Sequence, residues 1–181
     1  AAMATDAPDS SDPANGGCSG FSWSKLDKAL SIRGEFVDNY GTEHMITQTT
    51  WVSGSISFAI TYLSNDDQML VAQNDSENAW NPDLWSRFDW TENDDGLWYC
   101  QTAYAADSEE AAMATDAPDS SDPANGGCGG FSWSKLDEAL SIRGEFVDNY
   151  GTDHVVTQTT WVSGSSSFAI TYFSNEDQVL V

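Results

Sequence analysis

The sequence predicts an all-β fold: an antiparallel meander forming a small sandwich or barrel, with one short helix per module, repeated in tandem. Three observations predict it. Turn signals punctuate the chain at short intervals. Between them, apolar and polar residues alternate, as in Ile56, Phe58, Ile60 and Tyr62 against Ser57, Ala59 and Thr61, the period-two pattern of a half-buried strand. Third, residues 1–71 return as residues 111–181 at an offset of 110, with 62 of the 71 aligned pairs identical. That period is too long for a solenoid coil and close to one small domain.

The elements follow in order. Ile32 to Asp38 reads as a strand ended by Asn39-Tyr40-Gly41, and Glu43 to Val52, rich in Thr and β-branched residues, as the next. Ser53-Gly54 turns the chain into Ser55 to Leu63, and Asn65-Asp66-Asp67 turns it into Gln68 to Gln73. A longer connection precedes Trp85 to Thr91, which pairs with Leu97 to Tyr104 across Asn93-Asp94-Asp95-Gly96, a strong hairpin signal. Six strands with short links must curl or stack to bury an apolar face.

A short helix follows. Asp107 is placed to cap it, with Glu110 three residues on completing a capping box. Beyond it, Ala117 to Gly130 is rich in Pro, Ser, Asp and Gly, and Phe131-Ser132-Trp133 resumes alternation. Phe131 and Trp133, with their equivalents Phe21 and Trp23, read as an edge strand or wedge that finishes a module and contacts the next. The predicted frame is residues 1–26 as the tail of a preceding module, 27–136 as a complete module and 137–181 as the first half of another. Both ends of the sequence fall inside elements. The expectation is therefore a polypeptide that continues in at least one direction, or neighbouring chains that complete its ends.

Composition bounds the class. Hydrophobic residues make up 40%, with eight Trp and eight Phe, enough for a packed core. The net charge of −23 with only six Lys and Arg argues against binding nucleic acid or anionic membranes, which need basic patches. No apolar run approaches the length of a membrane span. Three cysteines are present, Cys18 and its repeat equivalent Cys128, and Cys100 in the part that occurs once. Pairing Cys100 with Cys128 would close a loop worth roughly 3–4 kcal/mol; the rival pairing is Cys18 with Cys100. Without a CxxC or a His cluster, zinc is not expected. A disulfide implies an oxidising, extracellular or cell-surface location.

The nine differences between the copies act as a mutation series. Ile56 becomes Ser166, Leu63 becomes Phe173 and Lys28 becomes Glu138. Ile to Ser deep in a core is severely destabilising, so position 56 belongs near a rim or an interface, and Ser166 is a candidate contact. Met45→Val155 and Met69→Val179 are mild swaps compatible with buried sites.

Catalytic chemistry is weakly signalled. His44 and His154 recur once per copy without a partner His, and read as structural. No nucleophile elbow, phosphate loop or HExxH is present, so no enzyme activity is expected. Asp66-Asp67 and Asp94-Asp95 sit in turns, where Asp is favoured for backbone reasons. They are the candidate calcium ligands, but no DxDxDG loop appears and no cofactor is expected. Trp80 and Trp85 are candidate glycan-stacking residues. Asn74-Asp75-Ser76 is a glycosylation sequon with Asn74 as acceptor. Arg87 beside Asp89 reads as a local ion pair.

The segments GEFVDNYGTEHMITQTTW, NPDLWSRFDWT and LWYCQTAY with GGCGGFSW resemble a pattern in predicted secreted or lipid-anchored bacterial proteins of unknown function. The resemblance covers the whole 110-residue unit and implies a secreted setting, with no activity to transfer. Gly34-Glu35-Phe36 resembles the first-strand Gly-x-Trp of lipocalin-like barrels, with Phe36 in the Trp position. By architecture alone, the array resembles adhesin stalks and donor-strand pili. The expected function is a structural subunit of an extracellular filament, stalk or pilus-like fibre, joined by strand complementation to copies of itself. The alternative is a glycan-binding adhesin module.

Overall fold

The computed structural model describes residues 28–181. Phe21, Trp23 and Cys18 lie outside them. Seven strands run in sequence: β1 (Gly34–Asp38), β2 (Glu43–Ile46), β3 (Thr50–Ser53), β4 (Ile56–Ser64), β5 (Met69–Asn74), β6 (Trp85–Asn93) and β7 (Gly96–Ala106). A short helix α1 (Glu109–Met113) and a two-residue hairpin, β8 (Gly127–Cys128) with β9 (Phe131–Ser132), lead to β10 (Ser134–Glu138). Strands β1 to β7 form an antiparallel meander. Strand β10 then slots between β7 and β1 and closes an eight-stranded barrel, in the order β1-β10-β7-β6-β5-β4-β3-β2. Closure removes the unpaired edges a seven-stranded sheet would expose.

The barrel interior is filled with side chains. Leu30, Ile32, Ile46, Trp51, Phe58, Leu70, Ala72, Phe88, Trp90 and Leu136 form one buried cluster. In β4 the register shifts between Ile60 and Tyr62. A bulge of this kind flips parity. Ile56, Phe58 and Ile60 face the core as the alternation predicts, but Leu63, not Tyr62, continues the inward row, and Tyr62 is exposed. The segment Glu43–Val52 is two strands, not one. Thr47 and Thr50 close a turn between them: the Thr50 N–H donates to Thr47 Oγ1 at 2.9 Å, and Thr47 N–H to the Thr50 carbonyl at 2.8 Å. Threonine favours strands by shape, yet its hydroxyl can also cap a turn. Met69 is buried as expected, whereas Met45 is 50% exposed on the outer face of β2.

Strand β5 is buried on both faces. Leu70 and Ala72 enter the barrel, while Met69 and Val71 meet Ala112 of α1, with Trp85 and Ala106 packed alongside. The helix is capped by Ser108 rather than Asp107: Ser108 Oγ accepts the Ala111 N–H at 3.1 Å. Arg87 holds its other end. Its guanidinium grips Asp89 at 2.6 and 3.0 Å and donates to the carbonyls of Met113 and Thr115. Satisfying the last carbonyls of a helix with a buried, paired cation is favourable on both hydrogen-bond and dipole grounds.

The second sequence copy contributes β11 (Gly144–Val147), β12 (Asp153–Val156), β13 (Thr160–Ser163) and β14 (Ser166–Ala169) as one sheet, and β15 (Phe173–Ser174) with β16 (Val179–Leu180) as another. Its registers reproduce those of the first copy at the same offset: Phe36 faces His44 and Phe146 faces His154, Trp51 faces Phe58 and Trp161 faces Phe168.

Candidate assembly interface

The two copies present one face in two environments. In the first, Asp38 ends β1 and its Oδ1 accepts the N–H groups of Tyr40 and Thr42 at 2.9 and 2.8 Å. Its Oδ2 lies 3.3 Å from His44 Nε2, and the Trp51 indole N–H donates to His44 Nδ1 at 3.1 Å. A ring nitrogen that accepts carries no proton, so the neutral imidazole holds its hydrogen on Nε2 and donates to Asp38. Burial pushes the His44 pKa down, against the raising influence of Asp38. Asp148, His154 and Trp161 repeat the same contacts at 3.3 and 3.1 Å in the second copy.

What differs is the cover. In the first copy Trp51 is 0% exposed and stacks on Phe88 of β6 at 4.5 Å; Phe58 meets the same ring edge-on at 4.9 Å. Tyr99 of β7 closes over His44 at 5.2 Å, and burial raises its own pKa to about 12. In the second copy Phe168 is 57% exposed where Phe58 is 5%. Trp161, Phe168, Ile170, Leu180 and Val181, with His154, line an open apolar groove of about 390 Å³. In the barrel the equivalent face is covered by Phe88 and Tyr99, which follow it in sequence; the sequence ends at Val181, before their repeat equivalents.

The backbone joins the barrel to this sheet without a loose linker. Strand β10 pairs with β1 on one side, Asp38 opposite Leu136, and with β7 on the other, Lys135 opposite Trp98. The next residue, Ala139, donates its N–H to the Glu35 carbonyl at 2.9 Å. Leu140 is buried, and its N–H donates to Gln158 Oε1 at 2.9 Å, as Leu30 does to Gln48 in the barrel. Arg143 then reaches back to Glu43 at 2.9 Å and Glu35 at 3.6 Å. Neither Arg143 nor strand β10 was singled out by sequence reasoning. The signal for β10 was short: within Ser134–Glu138 only Leu136 is apolar, too little for a period to emerge.

The other candidates fall as follows. Cys100 and Cys128 are disulfide-bonded. Cys100 packs with Trp98 and Trp133, and the Trp133 indole N–H donates to the Asp119 carbonyl at 3.0 Å, so Trp133 is a wedge beneath the staple inside the barrel unit. Phe131, on the same hairpin, is exposed. Ser166 is exposed at the start of β14, and its counterpart Ile56 sits beside the β3–β4 turn, packed on the edge of the core. Trp80 is 75% exposed, whereas Trp85 packs in the cluster under α1, so the two do not form a common platform. Asn74 is buried, and its amide nitrogen donates to the carbonyls of Asn81 and Tyr104 at 2.7 and 3.1 Å. A glycan on that nitrogen is incompatible with the folded barrel. Asp67 accepts from Ser64 in its turn at 2.7 Å, and no group of three or more His, Cys, Asp or Glu among the described residues is arranged to hold a metal. Among the described residues no helix is long and apolar enough to cross a membrane.

No protein-family model, curated protein or solved structure matches this chain.

Proposed function

We propose that the chain is a structural element of an extracellular bacterial filament or stalk, built from β-barrel modules that complete one another with strands. One observation carries the reading: Ser134–Glu138, the strand that closes the barrel, runs on through Ala139 and Leu140 into the second sheet, with the Ala139 N–H still bonded to the Glu35 carbonyl. A barrel whose closing strand continues into the next sheet is tied to it through main-chain hydrogen bonds and a buried leucine, which makes a stiff joint. The disulfide supports an oxidising compartment, and the strong negative charge suits a soluble surface that repels its own kind except at complementary faces. Electron micrographs of native material should show a regular axial repeat. Material that stays monomeric on a sizing column, at native salt and with calcium present, would count decisively against the filament.

A second reading, a glycan-binding module, rests on Trp80. Its ring is exposed, and the next residue, Asn81, shares with the exposed Tyr104 the anchoring amide of Asn74. Stacking of a sugar on that indole would quench its fluorescence; an unchanged emission across a sugar panel removes the reading.

A further inference from the structure

The two ends of the barrel differ. Strand β10 runs beside β7 with Ser134 opposite Tyr99 and Leu136 opposite Leu97, so it leaves towards the β6–β7 turn and carries the chain to the second sheet from that end. The opposite end holds the last residues of β7, the β8–β9 hairpin and the β5–β6 loop. Exposed aromatic rings gather there: Trp80 is 75% exposed, Tyr104 56% and Phe131 77%. A groove of about 390 Å³ runs between β7 and the hairpin, lined by Tyr104 and Phe131 together with Thr102, Asp116 and Asp119. We propose that this groove binds a carbohydrate chain free of acidic groups, with Tyr104 and Phe131 as the stacking rings. The proposal rests on the glycan-binding reading above and gives it a site.

The rings are mounted on braced backbone. Phe131 pairs with Cys128 across the hairpin, and Cys128 is bridged to Cys100 of β7. Beneath them the Trp133 indole N–H donates to the Asp119 carbonyl at 3.0 Å, and the Asp119 N–H donates to the Gly127 carbonyl at 3.2 Å. The wall that carries the carboxylates is thereby tied to the hairpin that carries Phe131. Tyr104 sits where the β6–β7 register shifts twice, between Trp85 and Phe88, and such bulges re-aim a side chain. Its carbonyl accepts from the buried Asn74 amide, which also holds the carbonyl of Asn81 beside Trp80. A ligand that meets rings already fixed loses little to ordering them.

The lining sets the class of ligand. A sugar ring offers a C–H face that stacks on an aromatic ring and hydroxyl edges that donate to carboxylates. Asp116 and Asp119 supply the acceptors, and among the described residues no Lys or Arg lines the groove. Hydrogen bonds from Ser121 hold the Asp119 carboxyl below its ordinary pKa, so it is ionised at neutral pH. A uronic or sialic acid would bring its own carboxylate against these charges, on a chain of net charge −23. A wholly apolar ligand would desolvate the carboxylates without pairing them.

The test is calorimetry on the intact chain with cellotetraose, chitotetraose, de-acetylated chitotetraose, tetragalacturonate and tetralysine. At least one of the first three should bind, and tetragalacturonate should not. Tyr104→Ala and Phe131→Ala should each weaken binding about tenfold, with the thermal melt unmoved because both rings are already exposed. Tyr104→Phe should keep the affinity. Binding that is lost in Trp80→Ala but unchanged in Tyr104→Ala and Phe131→Ala preserves the glycan reading and overturns this groove. No binding by any of the sugars overturns both. Uptake of tetragalacturonate, or of tetralysine alone in a manner that Tyr104→Ala abolishes, overturns the ligand class.

Discussion

His44 and His154 are the same residue in two solvents, and they separate packing from sequence. Both accept an indole N–H and face an aspartate. Only His44 is sealed under Tyr99. Removing it strands the Trp51 N–H and the Asp38 carboxylate in a dry interior, where an unpaired polar group costs about 1–3 kcal/mol and a charge more. His44→Ala should therefore lower barrel stability by about 2–4 kcal/mol in urea titrations, and His154→Ala should leave that transition within about 0.5 kcal/mol. The pH dependence has a definite sign. The folded state holds the His44 pKa below its ordinary value of 6.5, so unfolding takes up a proton between the two values. Stability is full above pH 6.5 and falls as the pH drops through that value towards the lower one. Thermal melts of the wild type should show this slope, and His44→Gln should flatten it. The chain signalled this histidine as structural by giving it no partner His. That the partners would be Asp38 and Trp51, six and seven residues away, required knowing that a tight turn follows each strand.

At the scale of elements, alternation located most strands and failed where a single residue changes the local rule. The β6–β7 hairpin was legible because Asn93-Asp94-Asp95-Gly96 fixes its turn and long apolar rows flank it. The Thr47–Thr50 turn was not, since threonine satisfies strand propensity and turn chemistry alike. The inward place of Leu63 was hidden by a bulge that no composition announces. Strand β10 was hidden because its stability is borrowed: both its edges are paired by distant strands. Leu136 is its one core contact, so Leu136→Asp should open the barrel seam and cost at least about 3 kcal/mol. Its readout is loss of amide protection at Lys135, Leu136 and Ala139. The disulfide braces the same region. Cys100 and Cys128 are 28 residues apart, and opening a loop of that size costs about 3–4 kcal/mol by chain entropy. Denaturation midpoints with and without reductant measure it. Within the loop, Gly127 cannot be replaced quietly: its φ is +91°, and a Cβ there would lie 1.8 Å from the Asp119 carbonyl oxygen.

At the scale of the molecule, the barrel and the second sheet meet through Ala139, Leu140 and Arg143. Arg143 is bound to two partly exposed glutamates, and exposed pairs contribute about 0–1 kcal/mol. Its role is orientation more than stability. Arg143→Ala should leave the melting temperature nearly unchanged while broadening the distance distribution in solution scattering. High salt should broaden the wild-type distribution in the same direction, because screening weakens the same contacts. The all-β class and the repeat were legible from the sequence. The barrel's closure was not, because it depends on a strand whose only buried apolar residue is Leu136.

The match between the barrel's span and the period bears on inheritance. Near-identical stretches of coding sequence recombine unequally, gaining or losing whole periods. Since the barrel strands, from Gly34 to Glu138, fit within one period, an exchange that adds or removes 110 residues preserves a seamless barrel wherever the crossover falls. Natural variants should accordingly differ in length by multiples of that period, a spacing that sequencing of strain collections would expose.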